Sequence, residues 1–158
     1  MISVLSEEEF WPRIAIEANE LKKELPTFKP VDGNTLLWRG FIFGAGLYEG
    51  GVFVLEIEIP REYPFKPPKV KMLTKVFHAN VFDTRICVGV LGSDWTPANN
   101  LVDVIESIRF ILSNPNPDDP LNSTAANLMK RDPKEYSRKV REYVDRFATF
   151  EQIGRYSL

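Results

Sequence analysis

The chain has one cysteine and one histidine among its 158 residues. A single thiol excludes an internal disulfide and leaves a reducing compartment as the default, so a cytoplasmic protein is expected, with the nucleus also open to it. One His and one Cys would need carboxylates to complete a tetrahedral metal site, and no cluster with ligand spacing occurs, so no metal is expected. No apolar run approaches the ~20 residues of a membrane span. The opening stretch "MISVLSEEEFWPR" has no basic start followed by a long apolar segment, so no signal peptide is expected. A formal net charge of −2 gives no general attraction for nucleic acid or an anionic membrane. "GAGLYEGG" (44–51) is rich in glycine but lacks the strand–loop–helix context and the lysine of a phosphate-binding loop. There is no repeat and no low-complexity tract.

The residues that are present describe an ordinary globular domain, 44% apolar and 27% charged. Its length suits one domain over 1–158. Ser6 with Glu9 resembles a capping box, and Phe10, Ile14, Ala18, Leu21 and Leu25 recur at helical steps. A helix is predicted from about Ser6 to Glu24, ended by Pro26. "NTLLWRGFIFGAG" (34–46) reads as a strand. "GVFVLEIEIP" (51–60) alternates, with Phe53, Leu55, Ile57 and Ile59 on one face and Val54, Glu56 and Glu58 on the other, the pattern of a half-buried antiparallel strand. "PREYPFKPP" is a proline-stiffened loop, "KVKMLTKVF" (69–77) a third strand, and a fourth short strand is expected close to His78. Apolar Leu101, Val104, Ile105, Ile108 and Leu112 mark a central helix, stopped by the prolines of "SNPNPDDPLN". "STAANLMKR" (123–131) and the stretch from Asp132 to Phe150 read as two more helices, Asp132 and Pro133 supplying an N-cap and a first-turn proline. Helices segregated from a meander make an α+β domain.

Between His78 and Asn100 the pattern turns irregular, and such segments of compact domains often carry function. "HANVFDTRICVGVLGSDWTP" (78–97) holds both the histidine and the cysteine, nine residues apart. Cys87 lies between Ile86 and Val88, which suits a small buried hydrophobe. It also suits a nucleophile, because the partners of a Cys–His site meet in space and sequence separation does not decide the matter.

Five stretches taken together carry a resemblance: "YEGGVFVLEIEIPREYPFKPPKV" (48–70), "KVFHAN" (75–80), "ICVGVL" (86–91), "DWTPANNL" (94–101) and "NPNPDDPLN" (114–122). In this order and near this spacing they resemble the ubiquitin-conjugating enzymes, over about residues 10–148. The resemblance implies that family's fold: an N-terminal helix, a four-stranded antiparallel meander, an active-site loop, a central helix and two C-terminal helices. It also implies a transferase that takes ubiquitin or a ubiquitin-like protein from an activating enzyme as a thioester and passes it to a lysine, with a ligase (RING-type expected). ATP is then used by the activating enzyme, and this chain, expected as a monomer, needs no cofactor of its own.

By resemblance, Cys87 is the thioester-forming residue. Asn80 matches an asparagine credited with steadying the oxyanion, though an asparagine also builds loops. Asp119 matches an acidic residue that orients or deprotonates the incoming lysine, and a solvated loop charge or helix cap is its bland reading. His78 is read as holding the loop's shape. Phe65, Pro97 and Ala98 match positions that ligases grip on two loops, and the first helix meets the activating enzyme and the ligase. The chain departs from the family at Ala79, where proline is usual, and at Gly89, where many members have aspartate. It is also one residue shorter between Asn80 and Cys87. These features make it a divergent member. A non-catalytic relative that only docks modifier or ligase is the alternative, and an unrelated thiol hydrolase a weaker one, which would need His78 beside the sulfur.

Overall fold

The computed structural model describes residues 3–158; Met1 and Ile2, the start of the stretch read for a signal and of the 1–158 domain, lie outside the described residues. Helix α1 spans Glu7–Glu24 and α2 spans Leu101–Ser113, followed by α3 over Ser123–Arg131 and α4 over Pro133–Phe147. Strands β1 (Lys29–Val31), β2 (Asn34–Phe43), β3 (Val52–Glu58) and β4 (Lys69–Met72) form one antiparallel sheet in sequential order. Strands β5 (Val81–Phe82) and β6 (Arg85–Ile86) form a separate two-stranded hairpin.

The first helix starts where the sequence predicts. The Ser6 amide and hydroxyl both donate to Glu9 Oε1, at 3.3 and 2.9 Å. Pro12 inside the helix removes one backbone bond, and the buried stripe Phe10, Ile14, Glu17 and Leu21 holds α1 against the core. Helix α2 opens on Asn100, whose side chain accepts from the Asp103 amide at 2.8 Å, and it buries all five of its predicted apolar residues. Asp132 caps α4 by accepting from the Glu135 amide, with Pro133 next in line.

The meander differs from the expected one at both ends. Its first strand is β1, whose short sequence Lys-Pro-Val shows no alternation, and a proline sits comfortably on an edge strand. Asp32 and Gly33 then turn the chain with φ of 51° and 73°, the two positive angles of a tight hairpin. Its fourth strand is β4, which stops at Met72 instead of running to Phe77. The strand expected near His78 exists as β5 but pairs only with β6.

Opposite charges face each other across the sheet, Glu56 with Arg39 and Lys71, Glu58 with Lys69. The first half of β3 is buried on both faces, with Val52 and Val54 as covered as Phe53 and Leu55. The cause is the C-terminal segment. A 3-10 helix over Phe150–Tyr156 lies on the outer sheet face, puts Ile153 against Val52 and Val54, and donates from the Tyr156 hydroxyl to the Leu73 carbonyl. The alternation of β3 was therefore half-buried only at its Glu56–Glu58 end.

Candidate active site

Cys87 follows the β5–β6 hairpin directly. Its amide donates to the Asn80 carbonyl at 2.9 Å, which ties the thiol-bearing residue to the start of the hairpin. The side chain is half-buried on the wall of an open cleft of about 700 Å³, lined by Pro67, Lys69, Arg85, Val88 and Leu121 among others. Burial pushes the thiol's pKa up, and the Asp119 carboxylate adds to the rise by disfavouring a thiolate nearby. Asp119 lies on an exposed stretch of loop tied to the same Asn80, its backbone carbonyl accepting from Asn80 Nδ2 at 2.9 Å.

His78 is not the cysteine's base. The ring is fully buried, and Nε2 donates to the carbonyls of Ile111 and Leu112 at 2.8 and 3.0 Å, at the end of α2. Nδ1 accepts from the Asn80 amide at 2.9 Å. Both nitrogens are engaged, and the partners fix the tautomer with the proton on Nε2. Burial lowers the pKa to about 4, so the ring is neutral at physiological pH. The geometry thus removes the hydrogen-bond contact that a thiol hydrolase would need and spends both ring nitrogens on backbone groups.

Asn80 is buried and hydrogen-bonded throughout. Nδ2 donates to the Asn116 and Asp119 carbonyls, both at 2.9 Å, and Oδ1 accepts from the Asn116 amide at 2.7 Å. An amide nitrogen has two hydrogens, and here both are taken. Ala79, the preceding residue, accepts at its carbonyl from Leu121 and Asn122, both at 3.0 Å. Residues 79 and 80 therefore clamp the 116–122 loop, and with it Asp119, beside Cys87. On the other side of the cysteine, a short 3-10 turn runs over Gly89–Leu91. A side chain on Gly89 would meet the Asp94 carboxylate, which already fills the space beside this glycine.

Phe65, Pro97 and Ala98 are all exposed, Phe65 at 43%. Their two loops are joined: the Trp95 indole N–H donates to the Pro64 carbonyl at 2.8 Å. Helix α1 holds the pair from behind. Arg13 donates to the carbonyls of Pro97 and Asn99 and lies over the Tyr63 ring. Glu17 is buried and accepts from the Leu101 amide at 2.8 Å and from the Tyr63 hydroxyl, with Arg13 Nε 3.5 Å away. Burial raises the Glu17 pKa, while Tyr63, Leu101 and Arg13 pull it down. Trp11 and Ile16 stand exposed on the same helix.

Sequence reasoning missed Arg13, Glu17, Tyr48 and Tyr136 as parts of the site's frame. Glu17 did carry a signal, for it falls in the apolar register between Ile14 and Leu21. No group of His, Cys, Asp and Glu suited to a metal occurs among the described residues, and no described helix is long and apolar enough to cross a membrane.

The family profile described as ubiquitin-conjugating enzyme matches residues 7–144. A solved structure from Toxoplasma gondii, the E2 domain of a ubiquitin conjugating enzyme, superposes with a TM-score of 0.83 at 32% identity. That match covers 89% of this chain and all of the Toxoplasma domain.

Proposed function

This chain belongs to the ubiquitin-conjugating enzyme family, and from that premise we propose that it carries ubiquitin or a ubiquitin-like protein as a thioester on Cys87. It takes the modifier from an activating enzyme and passes it to a substrate lysine, with a ligase. One observation carries the reading. The only cysteine of the chain stands half-buried on the wall of an open cleft, and the loop that carries the exposed Asp119 is bonded to the same Asn80 that takes the Cys87 amide.

The chemistry asks little of the protein. The thioester is already activated, so the enzyme must place an amine, receive its proton and hold the loop still. The lysine nitrogen forms a bond to the thioester carbonyl carbon, the carbon–sulfur bond breaks, and the electron pair leaves on Cys87 sulfur. Asp119 orients the incoming ammonium or accepts its proton. Asn80 acts through architecture: with both side-chain hydrogens given to Asn116 and Asp119, it positions the acidic loop, and it would serve an oxyanion only by giving up one of those bonds. Phe65, Pro97 and Ala98 form the exposed grip for a ligase. A few such anchors carry most of an interface.

The test is loading. Mixed with an activating enzyme, ATP and candidate modifiers, the protein is expected to give a thiol-sensitive adduct on a non-reducing gel. Cys87→Ala should abolish it and Cys87→Ser should make it thiol-resistant. A thiol-sensitive adduct that persists on Cys87→Ala would overturn the reading.

A further inference from the structure

Two buried tyrosine hydroxyls lie behind the active-site loop, on elements the reaction does not use. Tyr48 belongs to the turn before β3, and Tyr136 to the first turn of α4. Their oxygens are 2.7 Å apart. Tyr48 donates to the Phe77 carbonyl at 2.7 Å, and Tyr136 accepts from the Ala79 amide at 3.3 Å.

The direction of this chain of bonds follows from its ends. A carbonyl only accepts and an amide only donates. The Tyr48 proton is spent on Phe77, so the Tyr136 proton goes to Tyr48, and the Tyr136 oxygen is free to receive Ala79. The relay runs Ala79 amide, Tyr136, Tyr48, Phe77 carbonyl, and it closes around His78. Ala79 is fully buried, so its amide has no water to turn to. Burial raises the pKa of both hydroxyls above the ordinary tyrosine value, so the relay stays protonated at neutral pH.

The other face of the same residue holds the acidic loop, through the Leu121 and Asn122 amides on the Ala79 carbonyl. We infer that Tyr136 is a positioning residue for the transfer reaction: by capturing the Ala79 amide it fixes the 79–80 segment, and through that segment the 116–122 loop that presents Asp119 to Cys87. The device depends on residue 79 having an N–H, so an alanine there is part of it. A proline at this position would set the backbone by its ring and would leave Tyr136 nothing to receive.

This inference rests on the carrier reading for its rate arm, and it has a second arm that does not. Tyr136→Phe keeps the ring and orphans one buried amide; Tyr48 keeps its bond to Phe77. Single-turnover discharge of the loaded protein onto lysine is expected to fall about tenfold, the order associated with an unpaired buried donor, with loading nearly unchanged. Amide exchange at Leu121 and Asn122 should quicken by a similar factor. In an Ala79→Pro background the amide is gone, and adding Tyr136→Phe should then change both readouts by less than about twofold, which is the mark of a coupled pair. Equal losses in both backgrounds would mean that Tyr136 acts only through Tyr48 and packing, and would overturn the inference. So would unchanged exchange at Leu121 and Asn122 in Tyr136→Phe. If the unsubstituted protein never loads, the carrier reading fails, and the exchange cycle still decides the relay by itself.

Discussion

Two loop regions meet at this site, and they are held in opposite ways. The floor under Cys87, residues 78–80 with 116–122, is fixed in its buried part by neutral groups: an imidazole, a carboxamide, phenols and backbone amides, with its ion pair, Lys130 to Asp118 at 3.0 Å, left on the surface. The loops that carry Phe65, Pro97 and Ala98, 60–68 and 94–100, are fixed by a buried carboxylate, Glu17, with Arg13 above it. The contrast has a physical sense. A charge buried in the floor would act at short range on the thiol and on any oxyanion formed there, and the carboxylate that this loop carries toward the cysteine, Asp119, sits on exposed loop. Under the 60–68 and 94–100 loops a buried charge holds three elements at once by accepting from Leu101 and Tyr63.

The largest effect should come from breaking the charged side. Glu17→Ala leaves the Leu101 amide and the Tyr63 hydroxyl without their acceptor and Arg13 without its partner, which should lower stability by about 3 kcal/mol or more in urea unfolding. Glu17→Gln, which still offers an oxygen to Leu101, should fall between. A loss below about 1 kcal/mol would erase the distinction drawn between the two regions.

The neutral side has its own pH signature. With a folded pKa of about 4 against an unfolded value of 6.5, the unfolded chain binds a proton that the buried His78 ring refuses. The ring's contribution is therefore complete above about pH 6.5 and is lost as pH falls toward 4, in all about 3 kcal/mol. Glu17, with its pKa raised, has the opposite sign, since its folded form takes up a proton first as pH falls. The His78 share is isolated by comparing the pH slope of unfolding with that of His78→Asn, which should be flatter between pH 6.5 and 4 whatever its stability at pH 7. Parallel slopes would mean that the ring is protonated in the fold.

Asn80→Ala should slow discharge of the loaded thioester onto lysine by one to two orders of magnitude, about 1.4 to 2.8 kcal/mol, while loading stays nearly unchanged. Amide exchange at Asn116 should rise with it, because Oδ1 of Asn80 is that amide's acceptor. Slower discharge with Asn116 still protected would shift the role of Asn80 from architecture to direct contact with the reacting atoms.

The smallest change should come from Phe65→Ala. At 43% exposure the ring is only partly engaged in packing, so stability should move by less than about 1 kcal/mol. Ligase-stimulated discharge should drop about tenfold, as when an interface anchor is removed, with ligase-free loading intact. A parallel fall in loading would identify the ring as packing for the loop.

Much of this was legible in the residues. Cap signals, the apolar stripes of α1 and α2 and the alternation at the Glu56–Glu58 end of β3 are local patterns with local causes, and they stand where they were read. The aspartate–glycine pair at 32–33 was a hairpin signal that passed unread and would have revealed β1. The burial of Val52 and Val54 on the second face was not readable, because the residues that cover them lie about a hundred positions away in the C-terminal segment.

The site divides along the same line. The resemblance of five short stretches to a known family singled out Cys87, Asn80, Asp119, His78 and the two exposed loops as candidates, because a motif is a property of short segments. Which hydrogen bonds those side chains spend, and on what, was decided only by the fold. His78 turns its ring to the end of α2, Asn80 gives its amide to the 116–119 loop, and Tyr136 reaches Ala79 across 57 residues of chain. A hydrogen-bond donor satisfies whichever acceptor three-dimensional packing brings within about 3 Å, and no periodicity in the sequence records that meeting.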